Sequence, residues 1–411
     1  RAPEVLAQHF YEAGDACEAI EWWHKAGTSA AGRGAVTEAT QHFNRALNTI
    51  DDLPEGRERD ERELSILVEL GNALIYSKGY GSLDADQTYS RAFALSEKCG
   101  ASLEVFRSVW GLYLGSSSRT THTDSMRLAE RLLQLAKEDG SPALLIAAHY
   151  ACANSSYSLA RFAKTCEHME AARALYDPEM DASLLSLFGE HPFVFILLFG
   201  AWAYWVLGQS SQAMESIEQA LSIAQRVNHP QTLGLTYSCV GIFYRLRGEA
   251  DKVSEYGKAL SDLATKHNFP FWEVTSHCIQ GWAQAANGDE QGLARITAAI
   301  KQMRSGIFVG AVMYFMEMLV ESFGMMHRYE EQLQAIDEAL EIMHTNHDSH
   351  FEAELYRLKG ECLYRLYGNV LPAREWLEQA LKVARTQGAA ELEKRAVASL
   401  GRLSENQAMP L

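Results

Sequence analysis

The stretch from Phe193 to Pro230, FVFILLFGAWAYWVLGQSSQAMESIEQALSIAQRVNHP, decides how this chain is read. An apolar helical pattern closes at Gly208, a second helical segment carries Ala213 and Ala220, and Pro230 opens the next unit. Gly208, Gly248 and Gly288 follow one another at 40-residue steps, and Pro230 and Pro270 keep the same step. A fixed period of this size predicts a helical solenoid, in which each unit buries its apolar face only against its neighbours.

Outward from this centre the pattern loosens but persists. Near the start, Trp23, Ala26, Gly27 and Ala30, then Ala39, Phe43 and Ala46, partly match the tetratricopeptide pattern, with Ala at its Leu and Tyr positions. Later units carry Leu70, Gly71, Ala85 and Tyr89, then Trp110, Gly111, Ala129 and Leu132, and finally Tyr356, Gly360, Ala373 and Leu377. Small residues at such positions let paired helices approach while large ones fill the space beside them. No stretch alternates at strand length. The expectation is an all-α, right-handed, tetratricopeptide-like superhelix of about ten helix hairpins. A last helix at 391–403 has no partner after it; Glu391, Glu393, Lys394 and Arg395 give it the polar outer face of a cap. The expected divisions are repeats over 1–178, a connector over 179–191, regular repeats over 192–390 and a cap with tail over 391–411.

Composition narrows the function classes. The 411 residues are 47% hydrophobic with only nine prolines, as long helices require. A net charge of −16 argues against a broad phosphate-binding surface and against docking on anionic lipid. Neither a nucleic-acid nor a membrane partner is expected. The longest apolar run, Phe193–Gly200, is too short to span a bilayer. Seven cysteines without a CxxC pair suit core positions in a reducing cytoplasm. The chain opens on Arg1 without a signal pattern, and we expect a piece of a longer protein.

No catalytic centre, metal site or cofactor is expected. A GxxxxGK[ST] phosphate loop is missing. His344, His347 and His350 have a ligand-like spacing but read as a solvated loop between units. Cys166 and His168 stand two apart, where helical side chains do not face each other. Gly115-Ser116-Ser117-Ser118 lacks a lysine and reads, with the residues up to Asp124, as a long inter-helix loop.

The remaining feature is aromatic. If Ala201, Gly241 and Gly281 are equivalent small positions, the residues after them face the inner groove. These are Trp202, Ile242 and Trp282. One turn on lie Trp205 and Arg245, and one turn back lie Leu198, Ser238 and Cys278. The same rule in an earlier unit gives Tyr150, Asn154 and Tyr157. Together they predict an aromatic, mostly uncharged groove with Arg245 as an anchor for a protein, a peptide or a small-molecule effector. The bland alternative is that these rings are core between neighbouring units.

Several stretches resemble one family: PEVLAQHFYEAGDACEAIEWWHKAGTSAAGRGAVTEATQHFNRA (3–46), AARALYDPE (171–179), AWAYWVLG (201–208), AELYRLKG (353–360) and LEQALKVAR (377–385). They are similar to the C-terminal tetratricopeptide region of bacterial STAND-type signalling ATPases. In those proteins a class III cyclase or DNA-binding domain precedes an AAA-like ATPase. The resemblance implies a non-enzymatic sensing or scaffold arm of a cytoplasmic regulator. The alternative is a plain scaffold that recruits a partner peptide. The family's connector has a Gly-x-Asp-Pro-Gly flavour, whereas Gly189-Glu190-His191-Pro192 stands here.

Overall fold

A computed structural model describes residues 2–100, 102–119, 121–304 and 312–408. Among them there are 21 α-helices and no strand. The first is α1 (Pro3–Glu12). Helix pairs follow: α2 (Ala16–Gly32) with α3 (Val36–Ile50), α4 (Arg57–Lys78) with α5 (Leu83–Cys99), α6 (Ser102–Arg119) with α7 (His122–Asp139), and α8 (Pro142–Ser158) with α9 (Phe162–Leu175). A 3-10 turn at Pro178–Met180 and the short α10 (Asp181–Phe188) interrupt the pairing. It resumes with α11 (Pro192–Val206) and α12 (Ser210–Val227), α13 (Pro230–Leu246) and α14 (Ala250–His267), α15 (Pro270–Ala286) and α16 (Glu290–Gln302). The last pairs are α17 (Val312–Met325) with α18 (Tyr329–Asn346) and α19 (Glu352–Tyr367) with α20 (Val370–Gln387), before α21 (Ala390–Ala408). Nine pairs flanked by single helices make the expected tetratricopeptide-like solenoid.

The period has a local cause. Gly208, Gly248 and Gly288 each hold φ between 75° and 80°, where a Cβ is strained. This lets the next backbone N–H reach back to the helix it leaves: Gln209 to Tyr204 O at 2.8 Å, Glu249 to Tyr244 O at 3.0 Å, Asp289 to Gln284 O at 3.0 Å. Pro192, Pro230 and Pro270 begin α11, α13 and α15, where no N–H is needed. The first helix of each pair faces inward and is covered on most sides. In α11 every residue but Tyr204 is buried, as its apolar sequence demands. The second helices bury one stripe, as Ala213, Ile217, Ala220 and Ala224 do in α12.

Close approach fixes the pairing. A Cβ on Gly292 of α16 would overlap the Gly281 carbonyl and the Ala285 nitrogen of α15. Because backbone cannot step aside, Gly292→Ala is expected to cost about 1–3 kcal/mol despite the better helix propensity of Ala. A lower denaturant midpoint at unchanged slope is the readout; an unchanged midpoint would mean the pair is looser than drawn.

One loop expected from the sequence is helical, and the other, an inter-helix turn from His347 onward, is not solvated. Helix α6 runs through Gly115-Ser116-Ser117-Ser118 to Arg119, and Thr121 caps α7 by accepting from Asp124 N. The serines stay helical because their hydroxyls find acceptors, as Ser117 Oγ does on Leu114 O at 2.9 Å. Likewise His344 belongs to α18 and His347 is its left-handed cap, while His350 is buried and ionically paired, not solvated. The connector is structured too: it turns the chain by 100° between Pro178–Phe188 and α11. Among the described residues no single helix is long and apolar enough to cross a membrane.

Candidate functional site

The superhelix turns far enough for its two halves to meet. Ser349 N–H donates to Ser158 O at 2.8 Å, and His122 Nε2 lies 3.3 Å from Asp348. Tyr80 after α4 packs edge-on to Phe271 of α15 and accepts from Gln231 Nε2 at 3.3 Å. Between the halves lies a half-open cavity of about 450 Å³. Its walls are Leu114 of α6, Tyr150 and Asn154 of α8, Phe199 and Trp202 of α11, Ser238 and Ile242 of α13, Trp272 and Thr275 of α15, and Tyr314 of α17. Asp348 and His122 give one polar edge.

The rings are held rather than loose. Trp202 packs at 5.0 Å from Phe199 and 5.7 Å from Tyr314, and its Nε1 donates to Cys239 O at 3.1 Å. Trp272 Nε1 donates to Gln231 Oε1 at 2.8 Å. An apolar cavity with a few fixed polar groups is the general form of a ligand pocket.

A wall of buried charge closes the cavity on one side. Arg245 reaches Glu317 at 2.7 Å and Glu321 at 3.1 Å. His350 lies 2.9 Å from Glu317 and 2.5 Å from Asp348, and Glu321 accepts from Trp282 Nε1 at 2.7 Å. Burial works against a charge on His350, but the Asp348 and Glu317 carboxylates outweigh it and push the imidazole up to about 10. Burial likewise opposes ionisation of Asp348, yet His350 and His122 hold it well below the usual carboxylate range. Tyr157 packs into this wall against Trp202 and His350. Beyond the wall lies a second compartment of about 500 Å³, richer in charged side chains, with Trp282, Arg357 and Arg395 among its lining.

The connector meets the cavity from behind. Glu190 is buried; its Oε2 accepts from Tyr80 Oη at 2.8 Å and its Oε1 has no hydrogen-bond partner among the described residues. Burial pushes its carboxyl up to about 8, and the Tyr80 bond offsets only part of that. His191 caps α11 through Val194 N and lies 3.1 Å from Asp181, which Arg226 of α12 holds at 2.7 Å.

The residues expected on the inner face divide by depth. Tyr150, Asn154, Trp202, Ser238 and Ile242 line the main cavity. Tyr157 stands in the wall, Trp205 lies under Arg395 with the guanidinium 4.9 Å from its ring, and Trp282 faces the second compartment. Leu198 and Cys278 are wholly covered core. Arg245, expected as a ligand anchor, is spent on Glu317 and Glu321. Tyr80, Trp272 and Tyr314 were not expected. Lining sits late in α8 and α11, along α13, and early in α15. Each unit is rotated against the last, so the superhelix axis crosses successive helices at different heights. A fixed 40-residue translation misses that drift.

Cys166 and His168 do not meet. Burial pushes the thiol up to about 12, and the His168 ring pairs with His149 at 2.9 Å. Among the described residues no group of three His, Cys, Asp or Glu is placed to hold a metal ion.

No family model matches the chain. An uncharacterized protein of Rhizobium meliloti (strain 1021) is 24% identical over 406 residues. The match takes in 97% of this chain but only 39% of that protein's length. Among solved structures, the Rap protein complexed with Competence and Sporulation Factor is similar at a TM-score of 0.55 and 12% identity, covering 94% of this chain and 99% of that one. A STAND protein with a tetratricopeptide repeat sensor from Pyrococcus horikoshii matches at 0.45 and 15% identity, over 85% of this chain and 53% of that one. The human IFIT1 dimer with m7Gppp-AAAA matches at 0.47 and 14%, over 98% and 86%. At 12% identity the likeness to the Rap protein speaks for the helical-repeat fold alone.

Proposed function

We propose that this chain is a non-enzymatic sensing arm of a larger cytoplasmic signalling regulator, a STAND-type ATPase, and that it holds a short apolar peptide in its central cavity. The observation that carries this reading is the cavity's two-sided construction. Its walls come from both halves of the superhelix, through Tyr80, Tyr150 and Asn154 on one side and Trp272, Tyr314 and Asp348 on the other. A peptide touching both sides stabilises the closed turn, because it favours the state in which both walls are present. The 179–191 connector is the hinge between the two repeat arrays, and its movement transmits occupancy to the rest of the parent protein. The relative's greater length and the Rap complex support this reading.

Ile242→Arg tests it, because the new side chain fills the cavity from α13. A peptide selected on the wild type from a random display library is expected to lose at least about 100-fold in affinity for the variant, roughly 3 kcal/mol. Equal binding by the filled variant sinks the cavity reading. Small-angle scattering with the same peptide is expected to show a smaller radius; superimposable curves sink the hinge.

A further inference from the structure

The compartment beyond the buried wall has an electrostatic character opposite to the chain's. The protein carries −16 overall. Yet the lining contains Arg245, Arg247, Arg357, Arg365 and Arg395 against Glu321, Glu354 and Glu361. Two of these guanidiniums are spent. Arg245 is fixed in the wall, and Arg357 is forked onto Glu354 through Nε and Nη2 at 2.8 and 2.7 Å, with Nη1 2.9 Å from Glu361. The other three keep donors in hand. Arg395 uses Nη1 on Glu354 and Nη2 on Leu246 O, leaving Nε. Arg247 meets Glu249 through Nε alone. Arg365 is exposed and has no ion-pair or hydrogen-bond partner among the described residues. Trp282 and Tyr329 supply apolar surface between them.

We infer that this compartment is a second binding site, for an acidic peptide segment whose carboxylates reach the open donors of Arg247, Arg365 and Arg395. Two observations select a carboxylate-bearing peptide over nucleic acid. The guanidinium fork of Arg357 already closes on a carboxylate in the same wall, so planar bidentate geometry is native to the site. And once Glu249 and Glu317, the partners of Arg247 and Arg245, and Arg402 on Glu361 are counted with the lining, the excess is one positive charge, enough for a carboxylate and too little for a phosphate backbone. The site is separate from the apolar cavity, because the Arg245–Glu317–His350 wall stands between them.

The test uses a fluorescein-labelled peptide of alternating glutamate and alanine, the same peptide with glutamine for glutamate, and a single-stranded RNA of similar length. Fluorescence anisotropy on the full chain is expected to show the glutamate peptide binding, weakening as salt is raised, with the other two at least about 10-fold weaker. Arg365→Gln and Arg247→Gln each remove an exposed or half-exposed guanidinium without touching the core. Each is expected to cost about 5- to 10-fold, the loss of one charge-assisted contact. Ile242→Arg, in the other cavity, is expected to leave this binding unchanged. No binding of the glutamate peptide, equal binding of the glutamine peptide, tighter binding of RNA, or indifference to both arginine substitutions overturns the assignment.

Discussion

Arg245→Ala is expected to destabilise the protein by about 3–5 kcal/mol, because it leaves Glu321 in the buried wall without its cation and Glu317 with His350 alone. The side chain is almost wholly covered, and so is that of Glu317. Solvent screening therefore does little to soften the loss, unlike at a surface pair. The wall joins distant parts of the chain: Arg245 comes from α13, Glu317 and Glu321 from α17, and His350 from the turn before α19. Glu317→Ala is expected to cost a similar amount, since it strips both Arg245 and His350 of a partner. The double variant is expected to cost clearly less than the two singles together, because the second removal relieves a charge that the first left stranded. Equilibrium denaturation of all four proteins closes the cycle. Strict additivity, or a cost below about 1 kcal/mol for either single, would mean that the wall is wet and its charges independent.

Glu190→Gln is expected to stabilise the protein by an amount that grows as pH rises through the interval between the carboxyl's free value and its folded one. The buried carboxyl sits at about 8 in the fold against 4.5 as a free side chain. Below the free value both states hold the proton and the substitution changes little. As pH rises from 4.5 through 8, the unfolded chain releases the proton while the native state keeps it, so stability falls. Above 8 the native state carries a buried anion whose Oε1 has no hydrogen-bond partner among the described residues, and the loss is complete. At roughly 1.4 kcal/mol per pH unit the full span is a few kcal/mol, an upper figure because structure relaxes around a buried charge. Glutamine keeps the bond from Tyr80 and never ionises, but its amide N–H₂ inherits the unpartnered position. The net gain is therefore expected at about 2 kcal/mol near pH 9 and close to zero near pH 5. Denaturant melts of both proteins across that range read it directly. A gain independent of pH, or none at pH 9, would show that Glu190 ionises freely at the connector.

The legibility of this chain follows the range of the interaction concerned. Gly208, Gly248 and Gly288 announce the unit because a turn with positive φ is a local demand that one residue type meets. The apolar run of α11 announces burial for the same reason: nothing but a covered position suits it. Serines and histidines misled where tertiary partners overrode composition, as at Ser117 inside α6 and at His350 between Asp348 and Glu317.

The sequence by itself determined the period, the helices, their pairing and which helix of each pair turns inward, since all of these are set by neighbours along the chain. Tertiary structure decided which inward residues share a cavity. The rotation accumulated from unit to unit moves the lining from the end of α8 to the start of α15 and leaves Leu198 and Cys278 in the core. It also decided that Arg245 would be a wall rather than an anchor, because only the closing of the superhelix brings Glu317 and His350 to it. A one-dimensional pattern records contacts at a fixed step; it holds no record of where a twisted stack comes back upon itself.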